Sequence, residues 1–186
     1  MQDVRIAPER ADHPQVIAML NALDRYLGEL YEPEANHILS IEALLAPEVS
    51  LFAAWQGDRV VGTGAVRRMR GEPATANEPY GEIKRMFVDP ALRGQRLGSR
   101  MVATLEAALR HQGFGWALLE TGRNQHEAVR LYERAGYAYR GPFAGYPDNG
   151  LSVFMHKVLI EPRSSLHSRP PEGARAALGW PGGSLA

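Results

Sequence analysis

The sequence contains no cysteine, and its charges cancel, with 21 basic residues against 21 acidic ones. The absence of cysteine excludes disulfides, thiolate metal sites and a cysteine nucleophile, and it is compatible with a reducing cytosol. A formal net charge of zero creates no overall field that would attract nucleic acid or an anionic membrane. We therefore expect neither nucleic acid nor a membrane among the partners.

Long apolar runs are also absent, and the amino terminus lacks the pattern of a signal peptide. We therefore predict a cytoplasmic protein. Its 186 residues suit one domain with a sizeable core, which we place at residues 1–161. Residues 162–186 form a Pro/Gly/Ser-rich tail that cannot bury enough apolar area to offset its ordering entropy. The tail stabilises an oligomer only if residues such as Trp180 bind in a groove. The sequence therefore leaves undecided whether the protein forms a homodimer.

Signatures of several other enzyme classes are missing. The sequence has no Gly-x-x-x-x-Gly-Lys-Ser/Thr loop of a P-loop nucleotide enzyme and no Gly-x-Ser-x-Gly elbow of a serine hydrolase. His126 and Glu127 lack the second histidine of a zinc-protease helix, and the six histidines are scattered. We therefore predict no metal site.

The most informative stretch contains a strand, a short basic loop and a helix in that order. A largely apolar run over residues 83–88 precedes the loop at residues 93–99, and apolar residues then recur every four positions. Free backbone N–H groups at the start of such a helix, together with Arg93 and Arg96, suit a phosphate or pyrophosphate. An ordinary turn with two surface arginines is the better interpretation of such a loop taken alone.

The preceding half of the chain predicts a strand at residues 4–6 and then two helices. Asp12 is the predicted cap of the first helix, with Pro14 in its first turn, and Ser40 is the predicted cap of the second. Residues 56–58, Gln-Gly-Asp, stand between two apolar runs and indicate a hairpin.

The strand at residues 82–88 is unusual because it carries three charged residues, Glu82, Lys84 and Arg85. A central strand that is covered on both faces should be almost wholly apolar. Either this strand emerges at an edge of the sheet, or some of its side chains face a wet cleft. We favour the cleft, because the glycine-containing loop follows directly.

Four stretches together resemble the GCN5-related N-acetyltransferase (GNAT) superfamily. They are Val-Asp-Pro at residues 88–90, Arg-Gly-Gln-Arg-Leu-Gly at 93–98, Leu-Leu-Glu-Thr at 118–121, and Ala-Val-Arg-Leu-Tyr-Glu-Arg-Ala-Gly-Tyr at 128–137. The resemblance covers roughly residues 4–159, and further stretches look like one bacterial branch of the superfamily. The family loop usually reads Arg/Gln-x-x-Gly-x-Gly/Ala, whereas Arg96 occupies the first glycine position here. Close approach of the backbone to a pyrophosphate therefore depends on Gly94 and Gly98.

The resemblance implies a mixed α/β fold whose mostly antiparallel central sheet is splayed at the acetyl-CoA site and flanked by helices on both faces. It implies an acetyl-CoA-dependent N-acetyltransferase that uses acetyl-CoA as cosubstrate and no metal. The acceptor that we expect is a primary amine of a small molecule, which attacks directly in a ternary complex. Acetylation of a protein N-terminus or lysine stays open, and so does a module that binds acyl-CoA without turnover.

Two residues match catalytic positions of the family, and a third is a further candidate. Tyr132 is the candidate general acid, although a tyrosine there would equally suit packing of a helix on the sheet. Glu82 is the candidate general base, acting through water, or else a structural ion-pair partner of Lys84 and Arg85. Glu120 is a second candidate for the base.

The resemblance also implies the residues that bind the cosubstrate. Asn124 is similar to a family asparagine but stands four residues before Ala128 rather than three, and Gln125 occupies the expected position. The complete set is Phe87, Val88, Arg93, Gly94, Gln95, Arg96, Leu97, Gly98, Ser99, Asn124, Gln125 and Tyr132.

Overall fold

The computed structural model describes residues 3–32 and 37–160. The strands are β1 (Val4–Pro8), β2 (Val49–Gln56), β3 (Arg59–Met69), β4 (Tyr80–Val88), β5 (Trp116–Gly122), β6 (Ala138–Arg140) and β7 (Ser152–Val158). The helices are α1 (Pro14–Leu30), α2 (Ile41–Leu44), α3 (Leu97–His111) and α4 (His126–Arg134). The tail at residues 162–186, for which we predicted a separate segment, lies outside the described residues.

The strands form one sheet in the order β1-β2-β3-β4-β5-β7-β6. Within the described residues, β4 and β5 are parallel and the other neighbouring strands are antiparallel. The predicted hairpin is confirmed, because β2 and β3 pair around a turn in which Gly57 has a φ of +58°. The mixed, mostly antiparallel sheet that the resemblance implies is therefore present.

Helices cover both faces of this sheet. Because side chains alternate along a strand, neighbouring residues of β2 belong to two different apolar clusters. Phe52 and Ala54 pack in the cluster of α3 and α4, whereas Leu51 and Ala53 pack in the cluster of α1 and α2. The four-residue repeat after the basic loop predicted the buried stripe of α3 correctly, namely Leu97, Met101, Leu105 and Leu109.

The starts of the first two helices show one correct and one wrong prediction. Ser40 caps α2 as predicted, since its Oγ accepts a hydrogen bond from the Ala43 N–H at 3.2 Å. The prediction of Asp12 as the cap of α1 is wrong. His13 is the cap, and its Nδ1 accepts from the Gln15 N–H at 3.3 Å. Asp12 is instead held in an ion pair by Arg10.

No helix in the described part of the chain has both the length and the apolar character that a membrane crossing requires. The described residues also contain no cluster of three or more histidine, aspartate or glutamate side chains that could hold a metal ion.

Two glycines provide a matched test of how tightly the sheet packs on α3. A Cβ added to Gly81 would lie 2.1 Å from Leu109 Cδ2, whereas a Cβ added to Gly28 on α1 would meet nothing within 4 Å. We expect Gly81→Ala to lower the free energy of unfolding by about 1–3 kcal/mol, because the core would be overpacked. Gly28→Ala should raise it by up to about 1 kcal/mol, because alanine favours the helix. Urea unfolding of both variants measures the two changes, and equal midpoints would contradict the packing argument.

Candidate active site

Strands β4 and β5 separate halfway along their length. Their pairing runs from Gly81 opposite Ala117 to Ile83 opposite Leu119, yet both strands continue beyond it. A bulge at Arg85, which has a φ of +56°, breaks the register with β3 at the same point. The later residues of β4, including Phe87 and Val88, therefore present backbone groups to a gap instead of to β5. This gap is the splay that the resemblance implies.

A cavity of about 620 Å³ opens at this gap. Its walls come from α1, residues 37–38, β4, the loop before α3, β5, α4 and the start of β7. Of the residues predicted from the sequence, those that line it are Phe87, Val88, Arg93, Gly94, Arg96, Leu97, Gly98, Ser99, Glu120, Gln125 and Tyr132. Glu82, Gln95 and Asn124 are not among the lining residues.

The loop before α3 has the geometry of an anion site. Gly94 and Arg96 both adopt left-handed backbone conformations, with φ values of +79° and +61°. Arg96 is the N-cap of α3, and no side chain caps the helix there. The first N–H groups of α3 thus lack intrahelical acceptors and lie at the positive end of the helix dipole. Together with the guanidinium groups of Arg93 and Arg96, they suit a phosphate.

Gly98 has a second reason to be glycine that the sequence did not reveal. A Cβ at this position would lie 3.1 Å from Leu131 Cδ2 on α4, so the missing side chain also lets the two helices approach.

The two candidate cosubstrate-binding residues at the start of α4 differ in placement. Gln125 lines the cavity, and its Oε1 accepts a hydrogen bond from Thr121 at 2.8 Å. The backbone N–H of Asn124 donates to the Tyr31 hydroxyl at 2.8 Å.

The charged residues of β4 lie in the middle of the sheet, so the edge interpretation is wrong. Lys84 and Arg85 line the cavity, whereas Glu82 is only 1% exposed and lies behind it. A Glu82 carboxylate oxygen accepts from the Tyr146 hydroxyl at 2.6 Å and lies 3.6 Å from Lys84 Nζ. Lys84 Nζ also donates to the same hydroxyl at 2.8 Å. Glu82 is therefore held in a buried network with Lys84 and Tyr146.

Glu120 and Tyr132 differ from Glu82 because both reach the cavity. Glu120 accepts a hydrogen bond from Ser152 Oγ at 2.6 Å. Tyr132 is 5% exposed, and its hydroxyl has no hydrogen-bond partner among the described residues. Burial raises the pKa of Tyr132 well above its ordinary value, and the nearby charge of Glu120 adds to the effect. Tyr132 is thus a protonated phenol without a hydrogen-bond partner among the described residues, and it lines the same cavity as Glu120.

Comparison with known proteins identifies this arrangement. The model of the acetyltransferase (GNAT) family matches residues 16–137. The chain belongs to the GNAT family. It is therefore an acetyltransferase, as the resemblance of its motifs implied. An acetyltransferase from Azospirillum brasilense, named IAA acetyltransferase, is 40% identical over 159 residues, which cover 86% of this chain and 100% of the relative.

Solved structures agree with the GNAT assignment. A Klebsiella pneumoniae protein, provisionally named an acyl-CoA N-acyltransferase, has a TM-score of 0.70 at 33% identity over 86% of this chain and 100% of its own. An aminoglycoside 6'-N-acetyltransferase complexed with coenzyme A has a TM-score of 0.62 at 19% identity, over 86% and 98% of the two chains. The second likeness concerns the fold alone.

Arg96, where GNAT proteins usually have glycine, provides a test of the loop. Arg96→Gly and Arg96→Ala both remove the guanidinium, but only glycine adopts a positive φ without strain. We expect the glycine variant to unfold with a free energy about 1 kcal/mol higher than the alanine variant. Both variants should bind coenzyme A with the same affinity, roughly 3- to 10-fold lower than that of the parent, because each lacks one charge. Urea unfolding and titration calorimetry measure the two effects, and a tighter-binding glycine variant would show that the charge is not used.

Proposed function

We propose that this GNAT protein transfers the acetyl group of acetyl-CoA to a primary amine of a small molecule while both substrates are bound. The observation that supports it is the joint placement of the anion-binding loop, the Tyr132 hydroxyl and the Glu120 carboxylate around one cavity. In this reaction the amine nitrogen bonds to the carbonyl carbon and the carbon–sulfur bond breaks. An acceptor that binds as an ammonium group loses one proton before it attacks and a second as the amide forms, while the departing sulfur gains one, so the chemistry requires a base and an acid.

The residues present fit acetyl-CoA, which supplies an activated acetyl thioester. The N–H groups at the start of α3, with Arg93 and Arg96, would bind the pyrophosphate. Phe87 and Val88 of β4 would offer backbone hydrogen bonds to the extended amide-containing arm and to the thioester oxygen. The coenzyme A bound to the aminoglycoside 6'-N-acetyltransferase, which shares the fold, is consistent with this use of the cavity.

Glu120 is our choice for the base that contacts the acceptor. It lines the cavity and has one hydrogen bond from Ser152, so it retains the capacity to accept from an ammonium group. Glu82 lies behind the wall, where Tyr146 and Lys84 already contact it. We therefore assign Glu82 to positioning these two residues rather than to contact with the acceptor.

Tyr132 is our choice for the acid. Its raised pKa keeps the phenol protonated through neutral and mildly alkaline pH. A protonated phenol at the cavity wall can donate its hydrogen to the departing sulfur. Its ring also packs edge-on against Tyr137, with 5.6 Å between centroids, so packing restrains the ring.

The proposal is tested by mixing the protein with acetyl-CoA and primary amines. We expect free coenzyme A thiol to appear in step with an acetylated amine detected by mass spectrometry. Coenzyme A should also raise the melting temperature, because it binds the folded state. A melting shift without any acetylated product would instead support a module that senses acyl-CoA. A homodimer and a cytoplasmic location stay predictions from the sequence.

A further inference from the structure

The wall of the cavity formed by α1, residues 37–38 and Lys84–Arg85 of β4 does not include the cofactor loop, and we assign it to the acceptor. The charges of this acceptor wall neutralise one another. Arg85 donates two hydrogen bonds to the Asp24 carboxylate of α1, one of them from Nη2 to Oδ2 at 3.1 Å. Lys84 is paired with the buried Glu82 and also donates to the His37 carbonyl at 3.1 Å. Both charges are therefore already neutralised, and an anionic group on an acceptor would compete with Asp24 and Glu82 for them.

The acidic residues of the cavity are arranged differently. Glu127 and Glu120 are its lining carboxylates. Glu127 forms an ion pair with Arg93 at 2.9 Å, on the side of the cofactor loop. Glu120 accepts a hydrogen bond from Ser152 and forms no ion pair with any described residue. The cavity thus offers one carboxylate that can neutralise an ammonium group, and it stands beside Tyr132.

Apart from His37, Tyr26 and Tyr31, the remaining surface on this side of the cavity is apolar. It includes Leu23, Leu27, Ile38 and Leu151. The ring of Tyr26 lies 6.4 Å from that of Phe87, and the hydroxyl of Tyr31 is engaged by the Asn124 N–H. Methylene groups of an acceptor would lose contact with water there, which strengthens binding by roughly fourfold for each one buried.

We infer that the acceptor is an amine with a single positive charge, the ammonium group that meets Glu120, on an uncharged and apolar body. This inference rests on the proposed function and specifies its substrate class. A second ammonium group would find no other unpaired carboxylate among the lining residues, and a carboxylate group beside Lys84 and Arg85 would find two cations that are already paired. Aminoglycosides, which carry several ammonium groups, are thereby excluded, although two solved structures with this fold are named for them.

Three acceptors of matched length test the inference on the full-length protein. Hexylamine, 1,6-diaminohexane and 6-aminohexanoate end in a methyl group, a second ammonium and a carboxylate. With kcat/KM measured from released coenzyme A thiol, we expect hexylamine to exceed each charged analogue by at least roughly tenfold, because each charge is desolvated without a partner. A charged analogue that equals or exceeds hexylamine would overturn the inference and leave the proposed function intact. If no amine is acetylated by protein that binds acetyl-CoA, both fall.

A matched pair of variants locates the acceptor body. Ile38 on the acceptor wall is 38% exposed, and Leu45, which is not among the lining residues, is 43% exposed, so both tolerate a charge. Ile38→Glu provides the carboxylate that a second ammonium lacks. We expect it to raise the kcat/KM ratio of diamine to monoamine at least roughly tenfold for some length between 1,4-diaminobutane and 1,8-diaminooctane. Leu45→Glu should leave every ratio unchanged. Equal ratios in both variants and the parent would overturn the placement.

Discussion

Tyr132→Phe should fold normally, bind acetyl-CoA and turn over roughly 10²- to 10⁴-fold more slowly, because it lacks only the proton donor. The phenylalanine ring keeps the contact with Tyr137 and the buried area. The hydroxyl has no hydrogen-bond partner in the described part of the chain, so its loss should change the free energy of unfolding by less than about 1 kcal/mol. Single-turnover kinetics, urea unfolding and the coenzyme A melting shift separate these three quantities.

The chemistry of the leaving group provides the control for Tyr132. An acetyl thioester of a more acidic thiol needs less protonation as the sulfur departs. The difference in turnover between Tyr132→Phe and the parent should therefore be smaller with such a thioester than with acetyl-CoA. If the variant turned over acetyl-CoA as fast as the parent, Tyr132 would have only a packing role. It would leave water to protonate the sulfur.

Glu120→Gln and Glu82→Gln should fail in different ways. Glutamine at position 120 keeps an oxygen for the Ser152 hydroxyl but cannot take a proton. We therefore expect a stable protein whose kcat/KM is reduced by roughly 10²-fold or more. Glutamine at position 82 leaves Lys84 buried without its counter-charge, which costs about 3–5 kcal/mol when a buried pair is broken. Its main defect should therefore be stability.

Kinetics per folded molecule and urea midpoints of the two glutamine variants distinguish these outcomes. Ser152→Ala is the matched control for Glu120, because it removes the hydrogen bond to the carboxylate and keeps the carboxylate itself. We expect it to be several-fold slower, far less affected than Glu120→Gln. A stable Glu82→Gln protein that turns over as slowly as Glu120→Gln would contradict the positioning role of Glu82.

Local patterns explain what the sequence predicted well. The apolar repeat of α3 and the basic loop before it involve neighbouring residues, and each leaves a periodic or compositional signal. The family resemblance then supplied the splay between β4 and β5, which no single segment encodes. The cap of α1 was mispredicted because Asp12 and His13 are neighbours that can both accept a hydrogen bond from the first turn. In the structure His13 caps the helix and Asp12 pairs with Arg10.

Contacts between distant segments explain what the sequence could not predict. Tyr146 reaches Glu82 across 64 positions, and Tyr31 reaches Asn124 across 93. Tyr146 stands in one of the stretches that look like a bacterial branch of the superfamily, and Tyr31 stands in none. No spacing indicated that Tyr146 would contact Glu82 or that Tyr31 would join α1 to the start of α4. The charged residues of β4 indicated that the strand needs polar or charged partners, but the sequence did not indicate which residues these partners are.

The strained arginine at the start of α3 has a consequence for laboratory evolution. All six arginine codons lie one base change from a glycine codon, so random mutagenesis reaches the relaxed loop in a single step. Selection for heat resistance alone should enrich glycine at position 96, because the left-handed backbone favours it. Selection for growth at scarce cosubstrate should keep arginine. If both selections are applied to one library, the residue enriched at position 96 in each shows whether the positive charge or the unstrained backbone contributes more under that selection.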